Sequence, residues 1–197
     1  ADLYGYGGTL EFNQYFAILI LNYISYLTMF NSTINITARG FAFGLLCYSV
    51  LVYTGISNVN ISGRIYDDSY VYALFFASYS SDMYSIMNID IVAYNSSFIR
   101  FFRVERASLY MDHINVKMVG YDDSEGTGMY IYDDSDVRIS VIHFDVEIYD
   151  DARFEHGIEV FTERPWIDTT YKPSKISIEA LTITINRGEN SVGVSLE

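Results

Sequence analysis

Four pairs of adjacent aspartates are the first residues whose chemistry asks for an explanation: Asp67-Asp68, Asp122-Asp123, Asp133-Asp134 and Asp150-Asp151. Adjacent carboxylates repel, and a hard cation relieves that repulsion, so such pairs suit Ca²⁺. Neither an EF-hand loop nor a glycine-rich nonapeptide calcium repeat accompanies them. The pairs therefore read first as solvated turn residues and second as calcium ligands, with calcium the one cofactor the sequence admits. The three histidines, His113, His143 and His156, are widely separated and lack metal-ligand spacing. No phosphate-cradling glycine loop and no serine-nucleophile elbow is present. The single cysteine, Cys47, excludes an internal disulfide and sits in the apolar run Phe41–Tyr53, which predicts a buried thiol. Lack of disulfides suggests the cytosol, but carries little weight for organisms that live hot or acidic.

The charge balance narrows the partners. Twelve Lys and Arg stand against 25 Asp and Glu, a net charge of −13, and the basic residues are scattered singly. Neutralising phosphates needs a basic patch, so nucleic acid is not an expected partner. The apolar run Tyr15–Phe30 is broken by Asn22, Ser25 and Thr28 and favours strand over helix, so no membrane span is expected. The start, Ala1 through Gly8, lacks a basic leader region and reads as a processed terminus. Four N-glycosylation sequons begin at Asn31, Asn35, Asn60 and Asn95, which points to an extracellular or cell-surface setting. Asn35 and Asn60 fall in the same slot of successive repeats, so two glycans there are expected to crowd each other.

The elements that position these residues announce themselves by repetition. A phrase of apolar, polar, apolar, polar residues recurs at Leu10-Glu11-Phe12-Asn13, Ile34-Asn35-Ile36-Thr37, Val59-Asn60-Ile61-Ser62, Met87-Asn88-Ile89-Asp90, Ile114-Asn115-Val116-Lys117, Phe144-Asp145-Val146-Glu147 and Leu181-Thr182-Ile183-Thr184. Successive copies are 24, 25, 28, 27, 30 and 37 residues apart. A period in the twenties with strand-type alternation is the signature of a stacked β-solenoid. Abundant Tyr (19) and Phe (13) with only two prolines supply strand-forming chemistry. Stacking predicts two interior columns, one from Leu10 and Ile34 through Val59 and Phe144 to Leu181, the other from Phe12 and Ile36 through Ile61 and Val146 to Ile183. A polar ladder including Asn35, Asn60, Asn88 and Asn115 lies outside. Corners follow at Tyr66-Asp67-Asp68-Ser69, Tyr94-Asn95-Ser96-Ser97, Tyr121-Asp122-Asp123-Ser124 and Tyr149-Asp150-Asp151, where Asp and Asn tolerate left-handed backbone.

This rhythm predicts an all-β, single-domain parallel β-helix of about seven coils with three strands per coil. It covers residues 10–197, with a projecting loop at 164–175 that holds both prolines and Trp166, after an N-terminal segment 1–9. The rhythm resembles that of the right-handed parallel β-helix of pectin-lyase-like proteins, and the resemblance implies fold more than activity. Members of that group use calcium-binding acids with an arginine base, or paired carboxylates, to cleave polysaccharides. The Asp pairs and Arg164-Pro165 are similar in kind only. The Asn-Thr-Asp, Gly-His-Gly and Arg-Ile-Lys signatures of the hydrolytic branch are absent, His156-Gly157 following Glu155.

Two features point outward. Phe41-Ala42-Phe43-Gly44-Leu45-Leu46 and Val71-Tyr72-Ala73-Leu74-Phe75-Phe76 are apolar on both faces, so one face needs a cover. Solenoid ends carry unpaired strand edges, and no capping helix is evident beside Leu3-Tyr4-Gly5-Tyr6 or Val192-Gly193-Val194-Ser195-Leu196. The expected partners are copies of the same chain, head-to-tail and lateral, through Leu3, Tyr4, Tyr6, Phe41, Phe43, Tyr72, Phe76, Val192, Val194 and Leu196, with the first segment a candidate donated strand. Together these features imply a self-assembling subunit of an extracellular filament or surface layer, plausible in a thermophilic archaeon. The alternative is a polysaccharide-processing or glycan-binding β-helix, including a viral receptor-binding spike, with surface glycans as partners.

Overall fold

The computed structural model describes residues 2–13, 20–22, 26–48, 53–161, 174–186 and 192–196. They form an all-β parallel solenoid, and none of them is helical. In chain order the strands are β1 (Asp2–Asn13), β2 (Ile20–Asn22), β3 (Tyr26–Tyr48), β4 (Tyr53–Ala93), β5 (Phe98–Gly120), β6 (Glu125–Tyr132), β7 (Asp136–Ile148), β8 (Arg153–Phe161), β9 (Lys175–Asn186) and β10 (Val192–Leu196). Every pairing between them is parallel. The unbroken stretch 53–161 makes about four turns. Residues of the N-terminal segment, Asp2 through Thr9, pair with Tyr26 through Thr33 of the same chain. Most of the predicted loop 164–175, with Trp166, lies outside the described residues, and β9 already begins at Lys175.

The recurring phrase locates the core but misplaces three of its contacts. Ile34 stands opposite Ile61, not Val59, and Phe144 stands opposite Val116, not Ile114. Phe144 in turn faces Ile183, and Leu181 faces Ile142. All three slips are of two residues, and side chains alternate with period two, so the inward set stays inward. Ile34, Ile36, Val59, Ile61, Met87, Ile89, Ile114, Val116, Phe144 and Val146 are accordingly all buried. The true offset is more regular than the phrase. Polar pairs repeat it on the outside: Ser62 donates to Asn35 at a separation of 27, Asn88 to Asn60 at 28, and Asn115 to Asn88 at 27.

Corners set that offset. Asp67 and Asp68 have φ of 51° each, Asn95 and Ser96 the same, and Asp122 and Asp123 51° and 58°. Two successive left-handed residues are costly for most L-amino acids, and Asp and Asn bear the cost best through local hydrogen bonds. The serine that follows turns inward and is buried at Ser69, Ser97 and Ser124. Ser69 Oγ donates to the Tyr66 carbonyl and accepts from the Gly40 amide at 2.7 Å, tying one coil to the next. The same four-residue sentence, Tyr132-Asp133-Asp134-Ser135, builds a different corner at the far end of β6. There Ser135 Oγ donates to the Tyr132 carbonyl (2.8 Å) and accepts from the Ala107 amide (3.4 Å). The tyrosines that open the first corner stack along the solenoid. Tyr66, Tyr94, Tyr121 and Tyr149 have ring centroids 5.1, 5.2 and 5.0 Å apart with planes within 10°.

Glycines appear where a core side chain needs room from the rung beside it. A Cβ on Gly128 would collide with the carbonyl of Gly157 and, at 2.6 Å, with the Phe144 ring. Gly128→Ala should lower stability by about 1–3 kcal/mol, because a packed core accommodates an extra methyl only by strain. Chemical denaturation of the two proteins, read by circular dichroism, checks this.

Candidate functional site

The sheet built from β6, β8 and the parts of β3, β4 and β5 beside them carries an outer face unlike the rest of the solenoid. Cα partners run Phe41–Tyr70–Phe98–Glu125–Arg153 in one column. The next column runs Tyr72–Arg100–Thr127–His156, and a third runs Phe75–Arg103–Tyr130–Glu159. The face is aromatic toward the N-terminal end and polar toward the other, with arginines at the seam.

The aromatic part covers itself. Phe41 stacks on Tyr70 (5.8 Å) and meets Tyr72 edge-on (5.9 Å); Tyr70 stacks on Phe98 (4.6 Å). Tyr72 is 4% exposed, and its hydroxyl donates to Tyr70 Oη (3.2 Å) while accepting from Arg103. Burial first, and then the Tyr72 hydrogen bond, push the Tyr70 hydroxyl well above the usual tyrosine range. Of the residues expected to meet neighbouring copies, Phe41 is exposed on this face. Phe76 is not: it lies opposite Val104 and points into the core at 1% exposure. The phase of the strand turns it inward, since Ala73 and Leu74 are both buried and the alternation slips by one between them. The side chains of Leu3, Tyr4, Tyr6, Phe43, Val192, Val194, Leu196 and Cys47 lie outside the described residues.

The polar part is made by a bulge. Gly126 faces Phe154 and Thr127 faces His156, so Glu155 is an extra residue in β8. Bulges re-aim side chains, and this one sets the Glu155 carboxyl against that of Glu125, with which it hydrogen-bonds. Arg153 Nε approaches Glu125 Oε2 at 3.2 Å. Burial, then the Glu155 hydrogen bond and charge, push the Glu125 carboxyl up to about 7, with Arg153 opposing. His156 Nδ1 is buried without a hydrogen-bond partner, and so is Arg100 Nε. Arg100 lies over Tyr130 (4.2 Å), Phe98 (5.2 Å) and Tyr70 (5.9 Å). The other two arginines of the face are paired, Arg103 with Glu105 and Arg153 with Glu125.

The aspartate pairs do not converge. Asp67, Asp68, Asp122, Asp123, Asp133, Asp134 and Asp150 all take left-handed backbone at corners. Asp151 is exposed beside Asp150. Asp67 accepts from Asn95 Nδ2 (2.9 Å) and pairs with Arg39 (3.7 Å); Asp133 pairs with Arg106 (3.3 Å). Among the described residues no group of three acidic, histidine or cysteine side chains could hold a metal ion. His113 pairs with Asp112 at 3.0 Å, and His143 lies opposite Asn115 and Thr182.

The sequon asparagines are on the outside. Asn31, Asn60 and Asn95 are exposed, and Asn35 is half-buried. Asn31 accepts from Asn58 (2.6 Å), and Asn95 Nδ2 is engaged with Asp67. Asn35 faces Ser62, and Asn60 faces Thr33, so the two expected to share a slot stand two residues apart along neighbouring strands. Glycans on both would crowd less than the phrase suggested.

Glu125, Glu155, Arg153 and Arg100 did not stand out in the sequence. Their one available signal was the rung offset, which places Arg153 one turn after Glu125; a bulge is invisible to it. Comparisons with protein-family models, curated proteins and solved structures give no match.

The raised Glu125 carboxyl makes a definite prediction. A group protonated more readily when folded stabilises the fold fully below its ordinary value of 4.5, and that contribution is lost as pH rises through about 7. Thermal unfolding of wild type and Glu125→Gln between pH 4 and 8 should show the variant losing less stability from roughly pH 5 to pH 8. Parallel curves would remove the carboxyl pair from the account.

Proposed function

We propose that the chain is a structural β-solenoid of the cell exterior, a subunit of a filament or surface layer assembled from copies of itself. This reading takes the coil count as about seven, with three strands per coil, and places glycans on the outer asparagines.

The observation that carries it is the state of β9. One rung earlier, Val137, Ile139, Ile142, Phe144 and Val146 fill the core at 0–2% exposure. Their partners Ile176, Ile178, Leu181, Ile183 and Ile185 continue the same columns but are only partly covered, Leu181 being 36% exposed. β9 pairs with β7 alone among the described strands. An apolar column beside an open backbone edge favours addition of another parallel rung. The first rung of a second copy has the required alternation at Thr9-Leu10-Glu11-Phe12. Such contact is heterologous and propagates into a filament unless rotation closes it. The polar and tyrosine ladders support a rod, because each rung repeats the surface of the one before.

The polysaccharide-cleaving alternative is less well supported. Its two carboxylates need about 5 Å or more between them to flank a glycosidic bond. Glu125 and Glu155 hydrogen-bond to each other instead. The stacked tyrosines give each inner ring's faces to its neighbours, leaving only edges for a sugar.

Negative-stain microscopy and sedimentation of the purified protein test the reading. Long particles of one width should form, and Leu181→Asp should cut their length severely while leaving the β-type circular dichroism unchanged. Monodisperse single chains of wild type at all concentrations would overturn it.

A further inference from the structure

We infer that the outer face around Arg100, Glu125, Glu155 and His156 is a binding site for a small carboxylate bearing neighbouring hydroxyl groups. The inference does not depend on assembly.

Arg100 carries the one guanidinium of this face that meets no carboxylate among the described residues. Its Nε–H is buried without an acceptor, and no ion pair or hydrogen bond engages its guanidinium among the described residues. A buried donor left unmade costs free energy, so something ordinarily meets it. Tyr130, Phe98 and Tyr70 crowd around the guanidinium, with Tyr130 closest at 4.2 Å. With rings against its faces, the group offers its in-plane edge. That edge matches a planar carboxylate, which accepts two parallel N–H bonds. The aromatic surroundings also lower the local dielectric and strengthen such a pair.

One rung on and one column across, the bulge at Glu155 sets two carboxyls into mutual hydrogen bonding. A pair that shares a proton carries one charge instead of two, donates and accepts together, and so suits a hydroxyl group. His156 lies two rungs from Arg100 in the same column, with Nδ1 unpartnered. Diagonal neighbours on a sheet are about 7–8 Å apart, within the reach of a molecule of several carbons. Arg103 and Arg153 are already neutralised by their own glutamates, so Arg100 is the charge that selects an anion.

Equilibrium dialysis of the full chain at pH 6 against radiolabelled gluconate, acetate and glucose tests the site, whatever the state of assembly. Gluconate should bind saturably at one per chain, acetate at least fivefold more weakly, and glucose not measurably. Arg100→Lys, which keeps the charge and loses the fork, should weaken gluconate at least tenfold, with β-type circular dichroism retained. Glu155→Gln should erase most of the preference for gluconate over acetate while acetate still binds. Raising the pH to 8, above the raised Glu125 value of about 7, should weaken gluconate in wild type. No saturable binding of either carboxylate, unchanged binding by Arg100→Lys, or glucose bound as well as gluconate would each overturn the proposal.

Discussion

Parallel backbone pairing, at a nearly fixed offset through the central rungs, is the constraint on which the rest of this molecule depends. Through the central rungs, where 27 to 29 residues separate a residue from its neighbour on the next rung, side chains meet their counterparts in the repeat. Apolar residues then stack into continuous interior columns, and each added rung buries the exposed side of the one before. No single rung could do this alone, because its apolar face would remain in water. The corners enforce the offset. Left-handed Asp, Asn and Ser residues turn the chain at the same place in successive coils, and at Ser69 and Ser135 an inward hydroxyl ties the turn to backbone.

The same arithmetic explains the surface. Like stacked on like is favourable for tyrosine rings and for amides that both donate and accept, as at Asn60, Asn88 and Asn115. It is unfavourable for carboxylates, and the chain relieves it in different ways. Asn95 takes the corner place between Asp67 and Asp122, and Arg39 and Arg106 each meet an aspartate. At Glu125, burial and the neighbouring Glu155 carboxyl raise the pKa to about 7, so that the like charges are relieved by protonation. A chain with net charge −13 thus holds many acids in rows and is expected to be most comfortable on the acidic side of neutrality.

Much of the fold was legible because its signals are local and repeated. Alternation within the phrase named the buried residues, and the Tyr-Asp-Asp-Ser sentences named the corners. Register was less legible, since a two-residue slip preserves the pattern and only the corner hydrogen bonds choose between alternatives. Phe76 was misread for a related reason: two adjacent inward residues, Ala73 and Leu74, shift the alternation in a way that an all-apolar run conceals. The polar cluster was harder still. Glu125 and Arg153 lie one rung apart, which an accurate offset would have paired, but Glu155 reaches Glu125 only through a bulge that no spacing rule reports.

Cysteine cross-linking tests the register most directly. In a Cys47→Ser background, Asn115→Cys with His143→Cys puts two thiols on directly opposed Cα atoms. Asn115→Cys with Asp145→Cys puts them two residues out of step, beyond the roughly 7 Å that a disulfide spans. The account predicts that mild oxidation closes the first pair within single chains and leaves the second open. Closure of the second pair with the first left open would contradict it.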